Sequence, residues 1–525
     1  MQKQCSRIEF GVQQVELAQL KDKNMSLNIT RRTAAKAFLA TAAGGMMPGM
    51  AAQAFAQDSQ NLSDEKIKAE VCVIGGGSGG TGAALAAARA GAKVVLLERE
   101  SILGGTATCA FVNIWRPVTG GYGIPFELFK ALVEYPLGVT LPPDISPDAH
   151  YARSQLGPRH IDGKNIVRGS DVCFEPRAMD YVVRSLLDAT GCCQTLLATT
   201  FCRAHVENDA VKAVEAWFSG KRLLVEADVF IDCTADGDVC VDAGCEYHMG
   251  EDPKSRYNEP RAPEQAEMLL NGLTLCYRIT DTGVKQKPRL PKGVKEKSCP
   301  IGACFDRMPN GDIVVNAVGM IGGNAILCME HSELMQEAQR RVLAHMHAIQ
   351  QLPPDDRWAT ATGGQGWGTW AISAIAPRIG VRETRRIVTE YVLTENDWIE
   401  GVARQKHKDI VAIADHTLDI HGRASRLPTP FPLGPFGVPY RCLLPKGMKN
   451  LMVASRAAGF SHIASSAVRL QRTLITLGQA AGNAAAIASK QRIGVQQVDI
   501  AQLQEKLVAQ GVDIVARPEQ SGSGS

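Results

Sequence analysis

The stretch that most restricts how this chain folds is residues 71–100, VCVIGGGSGGTGAALAAARAGAKVVLLERE. Val71–Ile74 has the unbroken apolar character of a strand buried on both faces of a parallel sheet. Thr81–Arg89 is rich in alanine, the strongest helix former, and Gly91 supplies a stop. AKVVLLE then reads as a second strand, ending on Glu98. Between first strand and helix, Gly75, Gly77 and Gly80 fit GxGxxG, with Gly76, Ser78 and Gly79 filling the pattern. The first glycine permits a tight turn, the second lets backbone approach a pyrophosphate, and the third lets the helix pack close to the strand. The helix start offers unpaired N–H groups and a positive dipole end to phosphates. Glu98 falls about twenty residues on, where an acid accepts from ribose hydroxyls. A GxGxxG alone is weak. Strand, glycines, helix, strand and acid in that order specify an α/β unit holding an adenine dinucleotide.

Gly104-Gly105 follows in ERESILGGTATCAFVNIW. With this pair the chain resembles the FAD-dependent oxidoreductases of the broad glutathione-reductase-like flavoprotein group. In these a GG pair after the ribose-binding acid carries the chain past the pyrophosphate toward the flavin. Residues 196–244 read as strand, hairpin and strand, then the turn Thr234-Ala235-Asp236-Gly237-Asp238. This is similar to the group's mid-chain meander and ATG-like turn, except that Ala235 stands where glycine is usual. PRIGVRETRRIVTEYVLTENDWIEG at 377–401 resembles a segment of one branch of bacterial flavoproteins. The strand Leu451–Ala454, Arg456 and a Thr473–Ala488 helix with Gly478 and Gly482 resemble the last FAD-binding element. The resemblance implies FAD as cofactor, contacted by Gly75, Gly77, Ser78, Gly79, Gly80, Glu98, Arg99, Gly104, Gly105, Thr106, Phe201, Thr234, Ala235, Asp236, Arg456 and Gly478.

The expected architecture is an α/β, glutathione-reductase-like Rossmann domain with an inserted α+β substrate domain. The FAD domain is discontinuous, over 65–125, 166–250 and 376–490. Residues 126–165, with five prolines, read as an extended cap loop. Residues 251–375 lack a dinucleotide pattern and mix strand-like runs (LTLCYRIT, DIVVNAV) with the helical run HSELMQEAQRRVLAHMHAIQ, as a substrate domain would. Residues 491–525 read as a polar helix, tail and Ser-Gly linker.

A flavin supplies the redox chemistry, and the protein supplies orientation and proton transfer. His462, in the loop before the closing helix, reads either as a substrate base or as a histidine that only bonds backbone. Arg469 and Arg472 follow; each suits a carboxylate, the flavin C2 oxygen, or a cap or ion pair. His421 in LDIHG is a further base candidate. Arg382, Glu383 and Arg385 suit an ion-pair network. His345 and His347 sit two apart on a helix and face apart, so no metal site is expected. The flavin is expected to be noncovalent, with Cys109 the only nearby candidate for covalent attachment. The expected function is a dehydrogenase passing a hydride from a small organic substrate to FAD, with a periplasmic or membrane acceptor beyond. A fumarate-reductase-like reduction of an activated C=C bond, and FAD binding without catalysis, stay open.

Residues 1–56 hold seven Lys/Arg and three Asp/Glu; the remainder holds 50 basic and 51 acidic residues. That balance gives no electrostatic case for nucleic acid or an anionic membrane as partner. Arg31-Arg32, an Ala/Gly-rich run and Ala54-Phe55-Ala56 resemble a twin-arginine export signal, with initiation at Met25 and cleavage before Gln57. The mature chain is expected to be periplasmic, without a membrane span.

Overall fold

The glycine-bounded run of apolar residues in the opening motif builds the centre of a parallel sheet. The computed structural model describes residues 65–515 except 157–159, 163–164, 168, 287–288, 291, 295–302, 318–319 and 422–433. The leader and the Ser-Gly linker lie outside the described residues. The chain divides into two units. Of the first, Met1–Glu65 with Gly220–Arg222, the described residues are Glu65 and Gly220–Arg222 themselves. The second, Lys66–Ser219 with Leu223–Ser525, carries the architecture that follows.

Strand β1 (Glu65–Ile74) leads through the glycines into helix α1 (Ser78–Arg89) and strand β2 (Val94–Leu97). β1 and β2 pair in parallel from Val71↔Val94 to Ile74↔Leu97. Strand β3 (Cys193–Leu196) continues the parallel array beside β2. β4 (Thr199–Glu207), β5 (Ala210–Phe218) and β6 (Lys221–Asp232) form a meander that joins the same sheet. The order is β3-β2-β1-β6-β5-β4, and the short strand Leu451–Val453 lies parallel to Phe230–Asp232 of β6. The Val71–Ile74 end of β1 and all of β2 (Val94–Leu97) are apolar and buried, as strands covered on both faces are.

The proline-rich stretch expected as an extended loop contains two helices, α2 (Ile124–Glu134) and α3 (Pro147–Ser154). Pro125 and Pro147 sit in the first turn, where proline's missing N–H costs nothing, and Ser146 caps α3 by accepting from Ala149 N–H. These prolines start helices; they do not break them.

A second hydrophobic core runs from Leu273 to Ile379. It lies between an antiparallel sheet and a long helix. The strands are β7 (Tyr277–Asp281), β8 (Cys304–Arg307), β9 (Ile313–Asn316) and β10 (Trp370–Ile375), in the order β8-β9-β7-β10. Helix α4 (His331–Gln350) buries Leu334, Ala338, Val342, Met346 and Ile349, a stripe at helical spacing. His345 is on that buried side and bonds Tyr277 Oη through Nδ1 at 2.6 Å, a core contact. The insertion is shorter at its start than 251–375: Ala262 packs in the first core. Then come α5 (His462–Val468) and α6 (Gln471–Gln491), whose glycines let it lie against α1, and a last helix at Ile500–Ala509.

Candidate functional site

The glycine turn packs so tightly that side chains are excluded at most of its positions. Gly75 has φ +103°, and a Cβ there would meet the Cys233 carbonyl oxygen at 2.3 Å. A Cβ on Gly79 would meet Ala454 O at 1.8 Å, and one on Gly80 would meet Gly75 O at 1.7 Å. Gly77 differs. Its φ is −74° and its nearest neighbour would be Gly105 Cα at 3.9 Å, so the space above it is open. Gly77 is also the N-cap of α1 and has no side-chain cap, which leaves the first N–H groups of the helix facing that space. This cradle suits a pyrophosphate.

The cradle is one part of a cavity of about 1720 Å³. Its ribose side is made by Glu98, Arg99, Thr199, Thr200 and Phe201. Glu98 is 5% exposed and accepts N–H groups from Gly76 (2.6 Å) and Glu100 (2.8 Å), which fixes its carboxylate in place. Burial raises its pKa above the ordinary value, against the pull of those two bonds. Thr234, Ala235 and Asp236 line the next stretch. Ala235 has φ +73°, the left-handed conformation glycine would adopt freely, so the departure from the glycine-containing turn is stored as backbone strain. Asp236 is paired with Arg456 at 2.5 Å and bonded by the Thr384 hydroxyl, and its pKa is held down by these partners against burial.

The opposite end gathers Arg382, His416, Asp419, His421, Arg469 and Arg472, together with the start of α6. That helix start has no capping side chain and no acidic residue in its first turn, so it presents a partial positive charge. Asp419 accepts from Arg469 Nη2 at 2.9 Å and is in hydrogen-bond contact with His421 Nε2. Burial works against its ionisation, but His421 and Arg469 hold its carboxyl well below the usual carboxylate range. Burial pushes Arg469 down to about 10, so it stays charged at neutral pH. Arg472 is 1% exposed and is fixed by Ser154 Oγ (2.8 Å), Ser154 O (2.9 Å) and Arg116 O (2.5 Å). Cys109 lines the cavity within the field of Glu98 and Glu100, and burial pushes its thiol up to about 11, which keeps it protonated at neutral pH.

His462 is not in the cavity wall. It is 2% exposed, its Nδ1 lies 2.9 Å from Glu383 Oε1, and its main-chain N–H goes to Asp252 Oδ2 at 2.8 Å. Arg386 completes the cluster through Glu383 and through Asp252 at 2.9 Å. The loop does pass the cavity, but Ser461 caps α5 and turns the next side chain inward. The expectation that His462 works as a base at the reacting face is corrected by this burial.

Of the residues expected at the cofactor, Gly75, Gly77, Ser78, Gly79, Glu98, Arg99, Gly105, Thr106, Phe201, Thr234, Ala235, Asp236 and Arg456 line the cavity. Gly80, Gly104 and Gly478 do not. Their work is close packing: a Cβ on Gly478 would meet Gly79 O at 2.0 Å, and one on Gly104 would meet Thr108 Cγ2 at 2.6 Å. Of the three residues expected to carry chemistry, the structure brings Arg469 and His421 together through Asp419 and places His462 apart. Asp419 went unread, although its spacing two residues before His421 was the available signal. Arg382 was grouped with Glu383 as a network residue; the chain there alternates, sending Arg382 to the cavity and Glu383 to the buried cluster.

The family model for FAD dependent oxidoreductase matches residues 70–507, and the chain belongs to that family. It is a flavoenzyme of mixed α/β fold with a Rossmann-type domain, and FAD is its cofactor. A second model, pyridine nucleotide-disulphide oxidoreductase, matches residues 1–113. Among curated proteins none matches the sequence. In structure the chain is similar to a geranylgeranyl bacteriochlorophyll reductase-like protein from Thermoplasma acidophilum, at 13% identity and TM-score 0.42, covering 86% of this chain and 85% of that one. It is similar to p-nitrophenol 4-monooxygenase PnpA from Pseudomonas putida DLL-E4, at 12% identity and TM-score 0.42, covering 87% and 91%. The myxobacterial chondrochloren halogenase CndH gives 12% identity and TM-score 0.35, covering 84% and 78%.

Proposed function

We propose that the protein is an FAD-dependent dehydrogenase of a small organic substrate, built on a glutathione-reductase-like frame. The observation that carries this reading is the His421–Asp419 pair opening on the cavity. Bound FAD supplies the two-electron acceptor for a hydride. As the substrate carbon gives up that hydride, the proton of its neighbouring O–H or N–H goes to His421, and a C=O or C=N bond forms. An ionised Asp419 takes the Nε2–H, orients the ring and leaves Nδ1 as the basic nitrogen. Electrons then leave for a periplasmic or membrane acceptor, since the sequence carries no second dinucleotide fingerprint for a soluble nicotinamide. The test is anaerobic rapid mixing with oxidisable substrates, following loss of the visible flavin band. His421→Asn should slow that loss by about 10²-fold at unchanged FAD content. Bleaching at the wild-type rate in the variant would refute the assignment.

A second reading, reduction of an activated C=C bond, is favoured by Arg469, whose pKa is pushed by burial toward the range of a proton donor. An enzyme bleached with dithionite that recovers its colour with an α,β-unsaturated acid, and that no oxidisable substrate bleaches, selects this second reading.

A further inference from the structure

The cations around the cavity are balanced unevenly. Arg456 has Asp236, Arg378 has Glu100 at 3.1 Å, and Arg116 has Asp171 at 2.8 Å and Asp306 at 3.1 Å. Arg472 has no acid in contact but lies in the field of Asp415 and Asp171. Arg382 has neither. Its Nη1 donates to Gly272 O (2.7 Å) and Thr274 Oγ1 (2.8 Å), and among the described residues no carboxylate is in ion-pair reach. Its neighbour Glu383 is turned away, held by His462 and Arg386.

Arg469 lines the same end and is 7% exposed. Its Nη2 is engaged by Asp419, through the main-chain oxygen at 2.5 Å and through Oδ2. Its Nε–H is buried without an acceptor among the described residues. A buried donor left unmade is destabilising, more so when charged. Arg382 and Arg469 thus bring two positive charges to this end, where the carboxylate in ion-pair contact is Asp419, shared with His421, and Glu383 acts on Arg469 only at longer range. A guanidinium with free N–H edges matches a planar carboxylate.

We propose that the substrate is a carboxylic acid, its carboxylate seated against the unpaired guanidinium of Arg382, with the charge of Arg469 beside it. The proposal rests on the reading of this cavity end as the substrate site. It assigns Arg382 and Arg469 to binding, and leaves His421 for the proton.

The test is titration of the FAD-loaded protein, at fixed ionic strength, with acetate, propionate, succinate and benzoate, each against its neutral amide. Binding is read as a saturable perturbation of the flavin absorption. At least one acid should bind about tenfold or more tightly than its amide, a difference expected of a charged hydrogen-bonded pair. Arg382→Gln should raise the Kd of that acid about tenfold, with FAD content and melting temperature unchanged, and Arg382→Lys should restore part of the loss. Arg469→Gln should weaken binding likewise, but it also strips Asp419 of a partner, so Arg382 is the decisive position. No saturable perturbation by any acid, equal binding of acid and amide, or an Arg382→Gln protein that binds the acid as the wild type does would each overturn the proposal. Binding needs no turnover. A protein that binds carboxylates through Arg382 but oxidises no substrate refutes the dehydrogenase reading and leaves this one standing.

Discussion

Glu383 and His462 differ from Arg382 and His421 in what surrounds them, and that difference separates structure from chemistry in this site. Glu383 is 2% exposed; burial raises its pKa, but His462 and Arg386 more than reverse this and hold it low. Removing one partner of such a cluster strands the others, at a typical cost of about 3–5 kcal/mol. Glu383→Gln should therefore lower the unfolding free energy by that much, read as a lower urea midpoint at an unchanged denaturant slope, while a folded fraction turns over normally. A midpoint within error of wild type would contradict the structural role. Glu259, in the same region, behaves in the opposite sense. It is 1% exposed, Oε1 accepts from Ser461 Oγ at 2.5 Å and from Glu395 N–H at 2.7 Å, and Oε2 has no partner among the described residues. Burial raises its pKa from 4.5 to about 7. A carboxyl with a folded-state pKa above its unfolded one binds its proton more tightly in the folded chain. Its contribution to stability is present below the unfolded value and is lost as pH rises through about 7. Wild-type melting temperature should fall between pH 5 and pH 7.5 by more than that of Glu259→Gln, which has no proton to lose (both pH values are chosen to bracket the shift). Parallel pH profiles would show that Glu259 ionises freely in the folded protein.

At the scale of elements, the contact between α1 and α6 and the turn before α1 use glycine for different ends. Gly478 brings α6 against Gly79, and a side chain there would run into a main-chain oxygen that cannot rotate away. Gly478→Val should cost about 3 kcal/mol or more by forcing two helices apart, and thermal unfolding of the cofactor-free protein measures it. Gly77 has room for a side chain and an ordinary φ. Gly77→Asp should therefore leave the melting of the cofactor-free protein nearly unchanged and abolish FAD binding, because its carboxylate would occupy and repel the pyrophosphate position. A yellow Gly77→Asp protein would mean that the phosphates lie elsewhere. The proline-rich region teaches a related lesson. Pro147 reads as a breaker when position within a helix is ignored, yet it sits in a first turn.

For the whole molecule, the remaining expectation is export: replacing Arg31 and Arg32 by Lys should leave FAD-loaded precursor in the cytoplasm. Unchanged periplasmic delivery in a strain lacking the twin-arginine translocase would rule that out. The Rossmann unit was legible before any coordinates because its signals are local. The turn at Gly75–Gly80, the helix after it and the acid at Glu98 all fall within one stretch of chain, where sterics and hydrogen bonding fix geometry residue by residue. The helix at His331–Gln350 was legible for the same reason, its apolar stripe being a local period. The reacting end was not. Arg382, Asp419, His421 and Arg469 come from three separated segments, and which side each presents depends on how those segments pack. His462 and His421 look alike as loop histidines in the sequence. The tertiary structure alone buries one in an ion-pair cluster and turns the other to the cavity, because burial and charge pairing are properties of neighbours far apart along the chain.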